Sequence, residues 1–372
     1  MREWRLFPID TLFFRGSVPY TMDHSPQDDV YSEFPPPPST VSGALRAALA
    51  RTKGWSGIGR WPDCLDAVLG NGFEQPGSLR VVGPFVSLGG RLLYCIPRHL
   101  AGIGNPGWRP VAFFAPGERI HCDEGELALP ILDRIIDPED RPEPGEGIFV
   151  TVAGMNRILR AELPEESELI RASQLWESEK RIGLELERET RTAKNGSLYS
   201  CHHVRLTPST FISVFVEGLP EGWELPARQF VPLGGEGRMA WAEVGGVLPR
   251  LEVPRDEIMR QRGAVLIALS PVFLERSVLT GKARLELPGN PRVVSGCVAR
   301  PVRIGGWDSL RRVATPVRSY LPAGSVLFLE IEEPGELLRA VDDWGLIRIG
   351  PGSCWGFGVA TLARLPAGGR ES

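Results

Sequence analysis

Four consecutive prolines, Pro35–Pro38, constrain this chain more than any other stretch. Each proline fixes φ and removes a backbone donor, so the run fits neither a helix interior nor a central strand. Ser39 and Thr40 follow at once, and both are residue types that cap helix N-termini. Val41, Ala44, Leu45, Ala48 and Leu49 then recur at helical spacing, which predicts an amphipathic helix over about 40–52. Upstream, Trp4–Ile9 alternates as a strand, and Thr11–Arg15, within the run DTLFFR (10–15), continues it or turns off it. A stiff arm therefore feeds a sharply started helix just behind an N-terminal strand.

The rest of the chain reads as short strands and turns. Residues 79–96 form two apolar runs around Gly89-Gly90, a hairpin pattern. Residues 97–147 are dense in Pro, Gly and acids and read as an irregular insertion. Leu169, Ala172, Leu175 and Trp176 give residues 165–180 helical character. A second hairpin spans about 181–206, and 210–217 is another strand. Residues 227–233 read as a short helix or turn, leading through LGGEGR (Leu233–Arg238) into a strand over 239–244. Beyond this, 264–273, 292–304 and 325–331 read as strands, 335–341 as a short helix, and 349–365 as a glycine-rich loop and final strand.

Both halves thus end as strand, short helix, glycine loop, strand. That order fits an α+β fold of two tandem ferredoxin-like (RRM-like, βαββαβ) domains with insertions. The expected domains are 1–248, carrying the insertion 97–147 and the hairpin 181–206, and 249–372.

A length of 372 residues accommodates two ordinary domains. Glycine at 43 and proline at 34 favour turns over a helical bundle. No apolar run of eighteen residues suggests a membrane span, and the N-terminus lacks a signal-peptide pattern, so a cytoplasmic protein is expected. The six cysteines are scattered without a CxxC pair, which suggests reduced thiols and speaks against zinc on spacing alone.

Net charge is −4, which does not advertise a nucleic-acid partner. Its distribution is uneven: residues 255–318 hold twelve Lys/Arg against five Asp/Glu, while 118–146 hold ten acidic against three basic residues. A basic half beside an acidic insertion fits one polyanionic partner plus a different contact surface, or two solvated faces that cancel.

In LGGEGR, Gly234, Gly235 and Gly237 would let backbone N–H groups approach a phosphate, with Arg238 adding a bidentate contact. A tight turn needing positive φ is the alternative. Neither this loop nor Gly350–Gly358 matches a nucleotide-triphosphate P-loop. The latter interleaves glycine with Trp355 and Phe357, which either stack on bases or pack into a sheet. Arg188, Arg191 and Lys194 crowd the tip of the second hairpin, with Tyr199 on its return strand. Such a hairpin leans on a nucleic-acid backbone or is simply a solvated charged turn. His202 and His203 are adjacent in a strand and point to opposite faces, so they do not form a chelating pair. His24 lies in a polar loop where a general base could sit.

In DTLFFR, PPPPSTVSGALR (35–46), RIGLELERETRTAKNGSLY (181–199), LGGEGR and the terminal glycine loop, the chain resembles one family: the two-domain RAMP subunit at the foot of the type III-B CRISPR effector, the Cmr complex. The resemblance implies a non-catalytic antiviral-defence subunit that grips the 5′ repeat-derived handle of the guide RNA (crRNA). It also implies docking on the large polymerase/cyclase-like subunit and contact with the backbone RAMP subunits; no cofactor or metal is expected. By motif, the implied RNA contacts are Arg15, Ser39, Thr40 and Arg46; Arg188, Arg191, Lys194 and Tyr199 on the thumb hairpin; Gly234, Gly235, Gly237 and Arg238; and Gly356, Phe357 and Gly358. The rival readings are a RAMP-type endoribonuclease that processes guide RNA, with His24 as its base, and a scaffold that touches only protein.

Overall fold

The computed structural model describes residues 1–16, 30–104, 107–123, 125–137, 139–184, 186–187, 189–192, 199–308 and 311–367, with backbone only at 122 and 199. Two mixed layers stack sheet to sheet with most helices on their outer faces, while the helix Val152–Leu159 packs Met155, Ile158 and Leu159 into the core between the sheets.

The first sheet has eight strands, in the order Leu169–Arg171, Ile148–Thr151, Arg91–Cys95, Arg80–Leu88, Thr210–Glu217, Arg2–Pro8, Met239–Val247 and Gln229–Pro232. The second has five, in the order Arg292–Cys297, Val326–Glu330, Gly263–Ala268, Val359–Ala363 and Ile347–Arg348. All pairs are antiparallel.

Strand alternation sends successive side chains to opposite faces, and the cores follow it. Val265 and Ile267 point with Val82, Phe215, Val326 and Phe328 into the layer between the sheets. Their neighbours Ala264, Leu266 and Ala268 pack outward on Ile258, Leu337 and Leu338 of the helices Arg255–Gln261 and Pro334–Arg339. Likewise Val214 and Val216 meet Val41, Leu45, Ala48 and Leu49 of the helix Pro38–Thr52. Each fully buried Leu or Val there contributes about 1.5–3 kcal/mol. Among the described residues no helix is long and apolar enough to cross a membrane.

The expected helix after the proline run exists, but it starts at Pro38, two residues before the expected start at Thr40. Pro37 is its N-cap, Pro38 its first residue, and no side chain caps it. Proline suits that position because its missing N–H would have had no helical partner anyway. The arm is anchored by Phe34, whose ring lies 4.7 Å from that of Trp176 and 6.4 Å from that of Phe14.

Several expectations need correction. Residues 165–180 are not a helix but two short 3-10 turns, the strand Leu169–Arg171 and the start of the strand Trp176–Gly183. Pairing with Tyr199–Leu206 overrides the helical spacing there. The insertion 97–147 is not irregular: Gly125–Leu132, Arg109–Cys122, Leu100–Ile103 and Glu143–Pro144 form a four-stranded sheet. Its prolines are accommodated beside register shifts at Ala101/Gly102 and Pro116/Arg119. Residues 292–304 are two strands rather than one. Arg292–Cys297 stays in the second sheet, while Val302–Asp308 pairs with Val313–Tyr320 as a separate hairpin after Pro301. Residues 229–232 form an edge strand, and Arg255–Gln261 is a helix with no counterpart in the sequence reading.

Candidate nucleic-acid interface

The loop LGGEGR joins the last two strands of the first sheet and is closed by its own backbone. Leu233 N–H donates to the Arg238 carbonyl (2.8 Å), and Arg238 N–H donates to the Gly235 carbonyl (3.2 Å). Gly234, Glu236 and Gly237 take positive φ of 84°, 54° and 65°. A Cβ on Gly234 would lie 2.5 Å from the Phe13 carbonyl oxygen, so glycine is needed there on two counts. Gly235 N–H donates to that same carbonyl at 2.8 Å. The loop is thereby stitched to the Asp10–Arg15 segment. Three of its N–H groups are spent within the protein, so an anion nest could draw only on the remainder.

Asp10–Arg15 also runs along the hairpin's return strand. Leu12 and Val204 exchange backbone hydrogen bonds of 2.8 and 2.9 Å. Three motifs distant in sequence therefore converge on one carboxylate. Asp10 accepts from Arg181 (2.9 Å), Arg205 (3.0 Å) and Arg238 (3.0 Å). Glu179 bridges Arg181 (2.9 Å) and Arg205 (2.6 Å) from below. The Arg181 hydrogen bond, foremost among the arginine contacts, holds the Asp10 carboxyl down at about 2. The Arg238 guanidinium, 18 % exposed, also lies 3.7 Å from Glu236. Guanidiniums fixed in this way keep further N–H donors for a bidentate phosphate contact without first paying for orientation.

Beneath the loop His203 is fully buried. Its Nδ1 lies 3.0 Å from Thr11 Oγ1, and its ring stacks on Phe13 at 4.9 Å. Its Nε2 lies 3.2 Å from Glu236 Oε2.

The other sequence candidates fall elsewhere. Arg15 is exposed and its backbone bridges to Ser32; Arg191 is exposed at a turn with φ 56°. Ser39 and Thr40 are half-buried in the first helical turn. Arg188, Lys194 and the Tyr199 side chain lie outside the described residues.

Arg46 is a correction. It is 0 % exposed and donates to Ser42 Oγ and to the carbonyls of Leu69 (2.9 Å), Pro76 (3.4 Å) and Leu79 (3.3 Å). Burial pushes its pKa down to about 9. As placed, it holds the fold and faces no solvent.

The terminal glycine loop is likewise structural. Phe357 is buried, stacked on Tyr320 at 4.9 Å. A Cβ on Gly356 would lie 2.3 Å from the Gly83 carbonyl oxygen, and one on Gly358 would overlap that of Ile349. This loop packs against the proline-started helix, not against LGGEGR.

A family model described as "CRISPR-associated protein (Cas_Cmr3)" matches residues 4–365. The chain belongs to the Cas_Cmr3 family. Among solved structures it is similar to a chain of the type III-B Cmr-beta complex bound to cognate target RNA and AMPPnP. That match has 15 % identity and a TM-score of 0.52, covering 88 % of this chain and 86 % of the other. The same assembly bound to cognate target RNA gives 18 % identity, TM-score 0.52 and the same coverage. A chain of a type III-A Csm3-Csm4 subcomplex matches more weakly, at 10 % identity and TM-score 0.40 over 90 % of this chain and 94 % of that one. At these identities the two Cmr-beta likenesses speak to the fold. No curated protein matches.

Four residues complete the site in this Cas_Cmr3 family member without belonging to a sequence motif: Glu179, Cys201, His203 and Arg205. The hairpin register pairs Glu179 with His203 and Arg181 with Cys201, so these residues and Arg205 share one face. Period-two alternation was the signal that could have grouped them. It is hidden because their common partners, Asp10 and Glu236, lie far away in the chain.

Proposed function

We infer that this chain is a non-catalytic RNA-binding subunit of a type III-B CRISPR effector. Its Arg238 cluster and hairpin hold the 5′ repeat-derived handle of the guide RNA, and it docks on the large polymerase/cyclase-like subunit in the cytoplasm. The observation that carries this reading is the convergence of three motifs on Asp10, which presents Arg238 on an exposed glycine loop beside a hairpin. Phosphate contacts fix register and orientation of a nucleic acid, and an arginine held by carboxylates is pre-organised for them. The Cmr-beta assembly similar in fold was solved with cognate target RNA, which supports an RNA-facing role.

Both sheets support the tandem ferredoxin-like reading. In each, the central strands run second, third, first, fourth in chain order, with the boundary taken at 248/249. The first unit replaces its second helix with the edge strand Gln229–Pro232. Two of the histidines are not placed to act as a general base for guide cleavage. His203 is sealed under the loop, and burial pushes His99 down to about 3, far from a working base. His24 lies outside the described residues.

Ultraviolet crosslinking of the tagged chain in its host, followed by sequencing of attached RNA, tests the reading. Reads concentrated at the 5′ handle are expected. Reads spread over unprocessed repeats would favour a processing enzyme, and no enriched RNA would favour a protein-only scaffold.

A further inference from the structure

Cys201, His203 and Glu236 place one sulfur, one imidazole nitrogen and one carboxylate oxygen within 4.8 Å of one another. Cys201 and His203 sit two apart on one strand and so share a face, while Glu236 hangs over them from the glycine loop. His203 Nε2 is buried and faces Glu236 Oε2 at 3.2 Å, but off the alignment of a good hydrogen bond. Its other nitrogen is held by Thr11 at 3.0 Å. With Nδ1–H donated to that hydroxyl, Nε2 presents its lone pair to the other two groups. This is the tautomer that metal ligation requires, with the second ring nitrogen fixed by a hydrogen bond.

We propose that Cys201, His203 and Glu236 bind a zinc-class divalent cation that clips the LGGEGR loop to the hairpin strand. Thiolate, imidazole and carboxylate together suit Zn²⁺ rather than a hard cation such as Mg²⁺ or Ca²⁺. Bonds of about 2.0–2.3 Å at tetrahedral angles separate ligand atoms by about 3.3–3.8 Å, so the widest pair has to close by up to about 1–1.5 Å. Glu236 can supply that closure because its loop is exposed. One thiolate and one carboxylate neutralise the ion, the thiol proton leaving to solvent, and a water completes the fourth position. Arg238 shares the Glu236 carboxylate at 3.7 Å but is held more closely by Asp10 at 3.0 Å, so it need not be displaced. The clip does not depend on RNA and is a separate matter from the function proposed above.

The test is Co²⁺ titration of the purified, chelator-stripped full chain. One Co²⁺ per chain should bind with a near-ultraviolet thiolate-to-cobalt band and the strong visible bands of four-coordinate Co²⁺, and Zn²⁺ should displace it. Cys201→Ser should abolish the thiolate band. His203→Gln and Glu236→Gln should each weaken Zn²⁺ binding at least tenfold. Cys64→Ser, at an exposed thiol elsewhere, should change nothing. Absence of the band, its survival in Cys201→Ser, or unchanged Zn²⁺ affinity in Glu236→Gln would each overturn the proposal. Because Glu236 lies on the exposed loop, its variant tests the site even where a buried substitution fails to fold.

Discussion

The guanidinium carbon of Arg46 lies 3.8 Å from the centroid of the Trp355 ring, more than three hundred residues along the chain. This stack joins the proline-started helix to the terminal glycine loop, and thus the first layer of the fold to the second. A charge so deeply buried is tolerable only because its donors meet Ser42 Oγ and carbonyls at Leu69, Pro76 and Leu79.

Arg46→Leu should therefore be severely destabilising. It removes the stack, worth up to about 2 kcal/mol when desolvated, and orphans buried acceptors at about 1–3 kcal/mol each. A loss of at least about 3 kcal/mol is expected in urea denaturation. Arg46→Lys should recover only part, since an ammonium cannot reproduce the planar fork. A loss under about 1 kcal/mol in Arg46→Leu would mean that the helix is held by its apolar stripe alone.

Much of this architecture was legible in the sequence, and what was not has a physical reason. The Gly89-Gly90 hairpin and the helix after the proline run were readable because turn chemistry and periodicity act locally. Arg46, an RNA contact by the resemblance, is instead buried in the fold. A lone arginine beside an apolar stripe looks solvated until Leu69, Leu79 and Trp355 are brought to it. Residues 165–180 looked helical because Leu169, Ala172 and Leu175 keep that spacing, yet their partners are strands at 148–151 and 199–206. At the site, LGGEGR announced itself by its glycines. Arg205 and His203 did not, because their roles come from Asp10 and Glu236 across the fold.

Two of the three loop glycines should separate strain from crowding. Gly234→Ala meets both a φ of 84° and the Phe13 carbonyl at 2.5 Å, so it should unseat the loop and cost more than about 2 kcal/mol. Gly237→Ala has φ of 65° but open space around the new methyl, so it should cost about 1 kcal/mol. Thermal denaturation of the two variants side by side checks the order. Equal costs would show that the contact with Phe13 is dispensable.

If Arg238 meets a backbone phosphate, Arg238→Gln should weaken handle-RNA binding. It should also lower the slope of log affinity against log salt by about 0.7. Arg339→Gln, on an outer helix of the second layer, should leave both unchanged. Fluorescence titrations at several salt concentrations read the slope directly. A parallel line for Arg238→Gln would remove this loop from the RNA contact.

His99 makes stability depend on pH in a stated direction. The ring is buried against Phe113 and Phe328, its Nδ1 has no hydrogen-bond partner, and burial pushes its pKa down to about 3. In the unfolded chain the same group titrates near 6.5. Between these values the unfolded state binds the extra proton, so stability falls as pH falls, by at most about 1.4 kcal/mol per pH unit. The loss should begin near pH 6.5 and continue towards about 3. His99→Phe fills a similar volume between two aromatic rings and removes both the titration and the orphaned nitrogen. Its stability relative to the parent protein should therefore rise steadily as urea denaturation is repeated from pH 7 down to pH 4. A constant difference across that range would show that His99 is protonated alike in both states.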